Sequence, residues 1–81
     1  LHETNNRIKI YPNPADDELY IELADETLPA TDITIFDSMG RVMTNLVTEA
    51  RQHRVNTSTW SPGFYVLSIL GSDEKKKIIV K

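Results

Sequence analysis

Apolar and polar residues alternate with a period of two along most of this chain. Ile8 and Ile10 alternate with Arg7 and Lys9, and Leu19, Ile21 and Leu23 alternate with Glu18, Tyr20 and Glu22. This is the signature of strands with one face on a core and the other in water. Ile33 and Ile35 lie in a β-branched run from Thr31 to Phe36, and Val42, Leu46 and Val47 follow after a turn. Gln52 to Thr57 predicts a weaker, polar strand. Phe64 to Leu70 is apolar on both faces apart from Ser68, which predicts a central strand. Ile78, Ile79 and Val80 form the last, with Lys75, Lys77 and Lys81 falling on one side. About seven short strands result, at intervals of roughly ten residues.

The residues between these runs are strand terminators. Pro12-Asn13-Pro14 removes two backbone donors and fixes two φ angles, so the first strand must end there. Asp37-Ser38-Met39-Gly40 predicts a tight turn in which Gly40 is free to take positive φ. Ser61-Pro62-Gly63 suits a type II turn with Pro second and Gly third. Gly71-Ser72-Asp73 closes the penultimate strand. Asp25 to Thr31 has room for at most a single helical turn beside Pro29. The pattern predicts an all-β fold, a small immunoglobulin-like antiparallel β-sandwich of about seven strands, with Ile35 and Val66 among its inward residues. Residues 1–6 are polar and aperiodic and are expected to be a linker from an upstream domain; residues 7–81 make the single domain.

Composition narrows the function classes. At 81 residues a single core buries only about 60–65% of the surface that the unfolded chain exposes. Hydrophobic residues make up 40%, enough for a folded chain rather than a disordered one. The absence of cysteine removes disulfides and thiolate metal sites. A net charge of −3 argues against a general nucleic-acid binder. No apolar run approaches the roughly 18 residues of a membrane span. The chain opens on Leu1 without a signal-peptide pattern, so any such signal is expected upstream.

Catalytic chemistry is poorly represented. The two histidines, His2 and His53, stand far apart in polar surroundings, no serine sits in a nucleophile elbow, and no glycine-rich phosphate loop exists. Asp16-Asp17-Glu18 has the look of a chelating cluster, yet neighbouring strand residues point to opposite faces and no spaced oxygen-donor loop follows. The expectation is a non-enzyme without metal or cofactor.

Four motifs, in order, resemble a known family. Tyr11-Pro12-Asn13-Pro14 lies at the end of the first strand. Phe36-Asp37-Ser38-Met39-Gly40-Arg41 joins a strand end to a glycine-arginine turn. Ser58 leads to Gly63-Phe64-Tyr65, and Lys75-Lys76-Lys77-Ile78-Ile79-Val80-Lys81 closes the chain. From about Ile8 to Lys81 the chain resembles the C-terminal sorting domain of proteins exported by the type IX (Por) secretion system of Gram-negative bacteria. Asn56 departs from the aspartate common in that family.

The resemblance implies an address label rather than a reaction. Such a domain would be read by the type IX translocon in the periplasm and carry upstream cargo across the outer membrane to the cell surface or the medium. A sortase-like peptidase would then remove it by a cut near or before residues 1–6 and attach the cargo to lipopolysaccharide. The recognition candidates are Pro12, Asn13, Pro14, Gly63, Tyr65, Lys75, Lys77, Ile78, Val80 and Lys81. The last strand is expected to be an edge whose unpaired backbone groups could accept another strand, with weak self-association as a second use of such edges. Each candidate also has a structural reading: the prolines end a strand, Gly63 serves a turn, Tyr65 is a half-buried aromatic, and the lysines protect an edge from aggregation. The rival function is an immunoglobulin-like module binding carbohydrate or protein, with Trp60, Tyr11 and Tyr20 as its aromatic set.

Overall fold

A computed structural model describes residues 8–23, 31–71, 73 and 75–81. Seven strands run in order: β1 (Ile8–Tyr11), β2 (Glu18–Leu23), β3 (Thr31–Asp37), β4 (Val42–Thr48), β5 (Gln52–Asn56), β6 (Gly63–Ile69) and β7 (Lys75–Val80). All the strand positions expected from the alternation are present. The proposed linker 1–6, most of the segment Asp25–Thr31, and Ser72 of the turn before β7 lie outside the described residues.

The strands form two antiparallel sheets, β1-β2-β5 and β4-β3-β6-β7. This wiring is immunoglobulin-like, with the fourth strand beside the third. Ile10 lies opposite Ile21, and Leu19 opposite Val55, so the apolar sets of the first sheet share one face. In the second sheet Ile35 lies opposite Leu67, and Tyr65 opposite Ile78. The two inner faces meet in one core that includes Leu19, Ile21, Ile33, Ile35, Leu67 and Ile78, all fully buried. Each such side chain contributes on the order of 1.5–3 kcal/mol on leaving water.

Three expectations need correction. β6 is central, as its sequence suggests, but Val66 stands on the outer face and is only half-buried; the strand alternates, so Tyr65 and Leu67 are buried in the core and Ile69 packs against it. Tyr65 in turn is buried rather than half-buried. The hydrogen-bonded turn before β6 is Thr57–Trp60, closed by the Trp60 amide on the Thr57 carbonyl at 3.0 Å. Gly63 has φ of 148°, well past the value near +80° of a type II turn's third residue. Gly40, by contrast, takes the expected positive φ, 88°.

Candidate functional site: the last strand and its clasp

By sheet order β7 is an edge strand. Its pairing with β6 uses one side of its backbone, and the other side would normally face water as a row of open donors and acceptors. The segment after β1 takes that side. At Tyr11 the chain leaves the first sheet, passes through Pro12, Asn13 and Pro14, and forms a parallel bridge between Ala15 and Val80. Both X-Pro bonds of the segment are cis.

The chemistry of the segment explains how so short a stretch can clasp a strand. Prolines have no N–H to give. Asn13, standing between them, substitutes its carboxamide, which carries both a donor and an acceptor. Its Nδ2 donates to the Lys77 carbonyl at 3.1 Å, and its Oδ1 accepts from the Ile79 amide at 2.9 Å. Ala15 then continues with its backbone: its amide donates to the Ile79 carbonyl at 2.6 Å, and its carbonyl accepts from the Lys81 amide at 2.9 Å. Four edge groups of the last strand are thereby satisfied. Ala15 is completely buried. Thr57 ties down the far side of the segment, its hydroxyl donating to the Asp16 carbonyl at 3.1 Å and its amide to the Asp17 carbonyl at 2.9 Å.

The expectation of an open edge on the last strand is therefore overturned. The reason is topological: the residues that terminate β1 cross to the other sheet and occupy the place a partner strand would take.

Gly63 and Tyr65 belong to the same region, because the register sets Gly63 opposite Val80 and Tyr65 opposite Ile78. Lys75, Lys77 and Lys81 are exposed along the outward row of β7, while Ile78 and Val80 point into the core. All ten sequence candidates thus gather on β7 and its two neighbours. The structure gives Asn13 two partners on β7 in addition to the segment's terminating role. Sequence reasoning missed Ala15 and Thr57. A small residue directly after a proline pair was the available signal for Ala15; Thr57 carries none.

The remaining motifs meet at one end of the sandwich. The Asp37 carboxylate accepts from the Met39 amide at 2.9 Å, from the Arg41 amide at 2.8 Å and from Arg41 Nε at 2.8 Å. The Arg41 amide is the main reason its pKa lies below the ordinary value of 3.8, against the opposing effect of desolvation; the Arg41 side chain and the Met39 amide lower it further. Tyr65 donates its hydroxyl to the Ser61 carbonyl at 2.5 Å and its ring meets Trp60 at 4.9 Å. A cleft of about 220 Å³ separates the Asp37–Arg41 turn from the Trp60–Tyr65 segment.

The aromatic set proposed for a sugar site does not assemble. Tyr11 and Tyr20 stack at 5.6 Å on the outer face of the three-stranded sheet, where Gln52 Nε2 donates to the Tyr11 hydroxyl at 2.7 Å. Trp60 packs against the core instead. Among the described residues no cluster of His, Asp or Glu could hold a metal ion.

A family model described as secretion system C-terminal sorting domain matches residues 9–81. Comparison with curated proteins gave no match.

Proposed function

This chain belongs to the family of secretion-system C-terminal sorting domains, and on that premise we propose that it is a non-catalytic export address read as a folded surface. Family membership carries the coarse function: a type IX sorting signal that engages the secretion machinery and sends an upstream cargo across the outer membrane, toward the cell surface or the medium. The finer steps are our reading. The cargo and this domain cross the periplasm together, the translocon reads the region around β7, and a sortase-like peptidase then cuts upstream of the sandwich and attaches the cargo to the surface.

One observation carries the folded-surface reading. The two family signatures furthest apart in sequence, Tyr11–Pro14 and Lys75–Lys81, are joined by the Asn13 and Ala15 hydrogen bonds. A reader of the last strand therefore meets a unit that exists only when the domain is folded.

The test is the location of a fluorescent reporter carrying a Sec signal and this domain at its C-terminus. It is produced in a type IX-competent host and in a sibling lacking the translocon. Surface or medium fluorescence in the competent host alone is the expected result. Retention in both hosts, with the domain folded and intact, would transfer the assignment to a binding module.

A further inference from the structure

The outer face of the four-stranded sheet is not the uniformly polar surface that the wet side of a sandwich normally presents. The register places Val42 beside Phe36, Phe36 beside Val66, and Val66 beside Lys77, one row crossing all four strands. In the next row Phe64 lies opposite Ile79. Side chains opposite one another in register stand side by side, so these residues form one apolar stripe. Val42 is 59% exposed, Phe64 44% and Ile79 36%. The stripe ends on the lysine row: Lys77 Nζ sits 5.0 Å from the Phe64 ring centroid, a cation–π distance.

Charge is distributed as unevenly as apolar surface. The last seven residues hold four lysines, Lys75, Lys76, Lys77 and Lys81, so the remaining chain carries 9 − 4 = 5 cationic residues against 12 acidic ones, a net of −7. The outer face of the other sheet shows no such separation. There Lys9 lies opposite Glu22, and Arg54 reaches Glu18 at 3.4 Å.

Edge protection does not account for Lys77 and Lys81. The edge they would guard is already closed from Lys77 to Lys81 by Asn13 and Ala15, and Lys77 stands over the face rather than beyond the edge.

Building on the sorting reading, we infer that this face is the docking surface for a protein component of the export machinery whose own surface has an apolar centre bordered by carboxylates. Apolar side chains at the centre supply the binding energy, and the lysine row at the rim sets orientation and gives association a dependence on salt.

The same reporter fusion tests it. One variant carries Phe64→Gln with Ile79→Thr, a second carries Lys75→Glu, Lys77→Glu and Lys81→Glu, and a third carries Val42→Gln, a change the open β4 position accommodates if the double variant fails to fold. The control is Lys9→Glu on the other sheet. Amide protection of Leu67 and Ile78 reports folding in each. Surface fluorescence of the folded face variants is expected to fall about tenfold or more, the size of a modest hot-spot loss, and the control is expected to match wild type. If wild type is exported and the folded face variants are exported equally well, the docking surface is wrong while the sorting role stands. If wild type itself is not exported, both readings fail. Two further results would overturn the assigned occupant: a sedimentation dimer of the wild-type domain that the Phe64→Gln/Ile79→Thr variant abolishes, or binding to phosphatidylglycerol vesicles that the lysine variant abolishes.

Discussion

The four-stranded sheet has two edges, and they are finished in different ways. At β7 a distant segment has crossed from the opposite sheet and satisfied four backbone groups in succession, using one carboxamide and one alanine. At β4 protection is local. The register with β3 shifts between Ile35 and Phe36, an irregularity of the kind that twists an edge away from straight pairing. The Asn45 side chain bonds back to Asp32 and Thr34 of its own neighbour strand, both at 2.8 Å. Val47 stands 62% exposed. One edge is closed by topology and the other is discouraged by shape. Damage to β7 should therefore propagate into the first sheet's connection, and damage to β4 should stay where it is made.

The largest contrast is expected between an inward position of one edge strand and an outward position of the other. Ile78→Asp places a carboxylate in the fully buried core, at a cost of several kcal/mol. A domain of this size holds a total stability of roughly 5 kcal/mol, so this variant should be unfolded by far-UV circular dichroism at 25 °C. Val47→Asn on the exposed face of β4, opposite Asp32, should change stability by no more than about 0.5 kcal/mol. Equal loss in both would mean that the edges are equally integrated. Removing Ile78 to Lys81 deletes two buried side chains along with the clasp's partner groups. Lost export after that truncation would therefore report unfolding as much as recognition.

Next in size comes the clasp. Asn13→Ala removes two hydrogen bonds from the β7 edge, at roughly 0.5–1.5 kcal/mol each for an ordinary bond and toward the lower end where water can replace them. A loss of about 1 kcal/mol is expected from urea unfolding at unchanged slope, or about 4–8 °C in melting temperature for a domain this small. Asn45→Ala should cost no more than this, because a single Nδ2 shares its two hydrogens among Asp32, Thr34 and the Ile33 carbonyl, all on its own neighbour strand. Amide exchange separates the cases: Ile79, whose amide donates to Asn13 Oδ1, should lose protection in the first variant and keep it in the second. Retained Ile79 protection in Asn13→Ala would show that Ala15 alone holds the edge.

What the sequence disclosed follows from which forces are local. Short strand-like runs located every strand, most firmly where alternation is clean, since Leu19-Ile21-Leu23 and Ile33-Ile35 must face a core whatever they pack against. Turn chemistry placed Gly40 and ended β1 at Tyr11. The alternation could not show which residues lie opposite which across the sandwich, so the contact of Asn13 with Lys77 and Ile79, 64 and 66 positions away, was invisible. The same blindness assigned Val66 to the core. An apolar run on a central strand has the same sequence whether its second face meets another layer or forms an exposed stripe. The open edge and the buried Val66 failed for want of a long-range pairing, and both fall at the region assigned to recognition; the turn before β6 failed locally, since Gly63 takes φ of 148° rather than a type II value.

The smallest contrast is one of pH, and it separates the edges by chemistry instead of by strength. The clasp is made of backbone groups and a carboxamide, none of which titrates in the acid range. The β3–β4 turn depends on the Asp37 carboxylate, which accepts from the Met39 amide and from both the amide and Nε of Arg41. Those bonds favour the ionised form and hold its pKa below 3.8. A carboxyl whose folded pKa is depressed contributes stability that is fully present above the unfolded value and is lost as pH falls through the folded one. Acid should therefore loosen the turn before the clasp. Between neutral pH and pH values below the ordinary Asp range, protection factors at Met39 and Arg41 should fall while those at Ile79 and Lys81 hold. Asp37→Asn should remove the pH dependence while largely keeping Met39 and Arg41 protection, because both amides donate to Oδ1, an acceptor the carboxamide retains, and only the Arg41 Nε bond to Oδ2 is lost. Parallel loss at all four amides in the wild-type domain would mean that the two edges open as a single unit, and the distinction between a closed edge and a shaped one would then be geometric only.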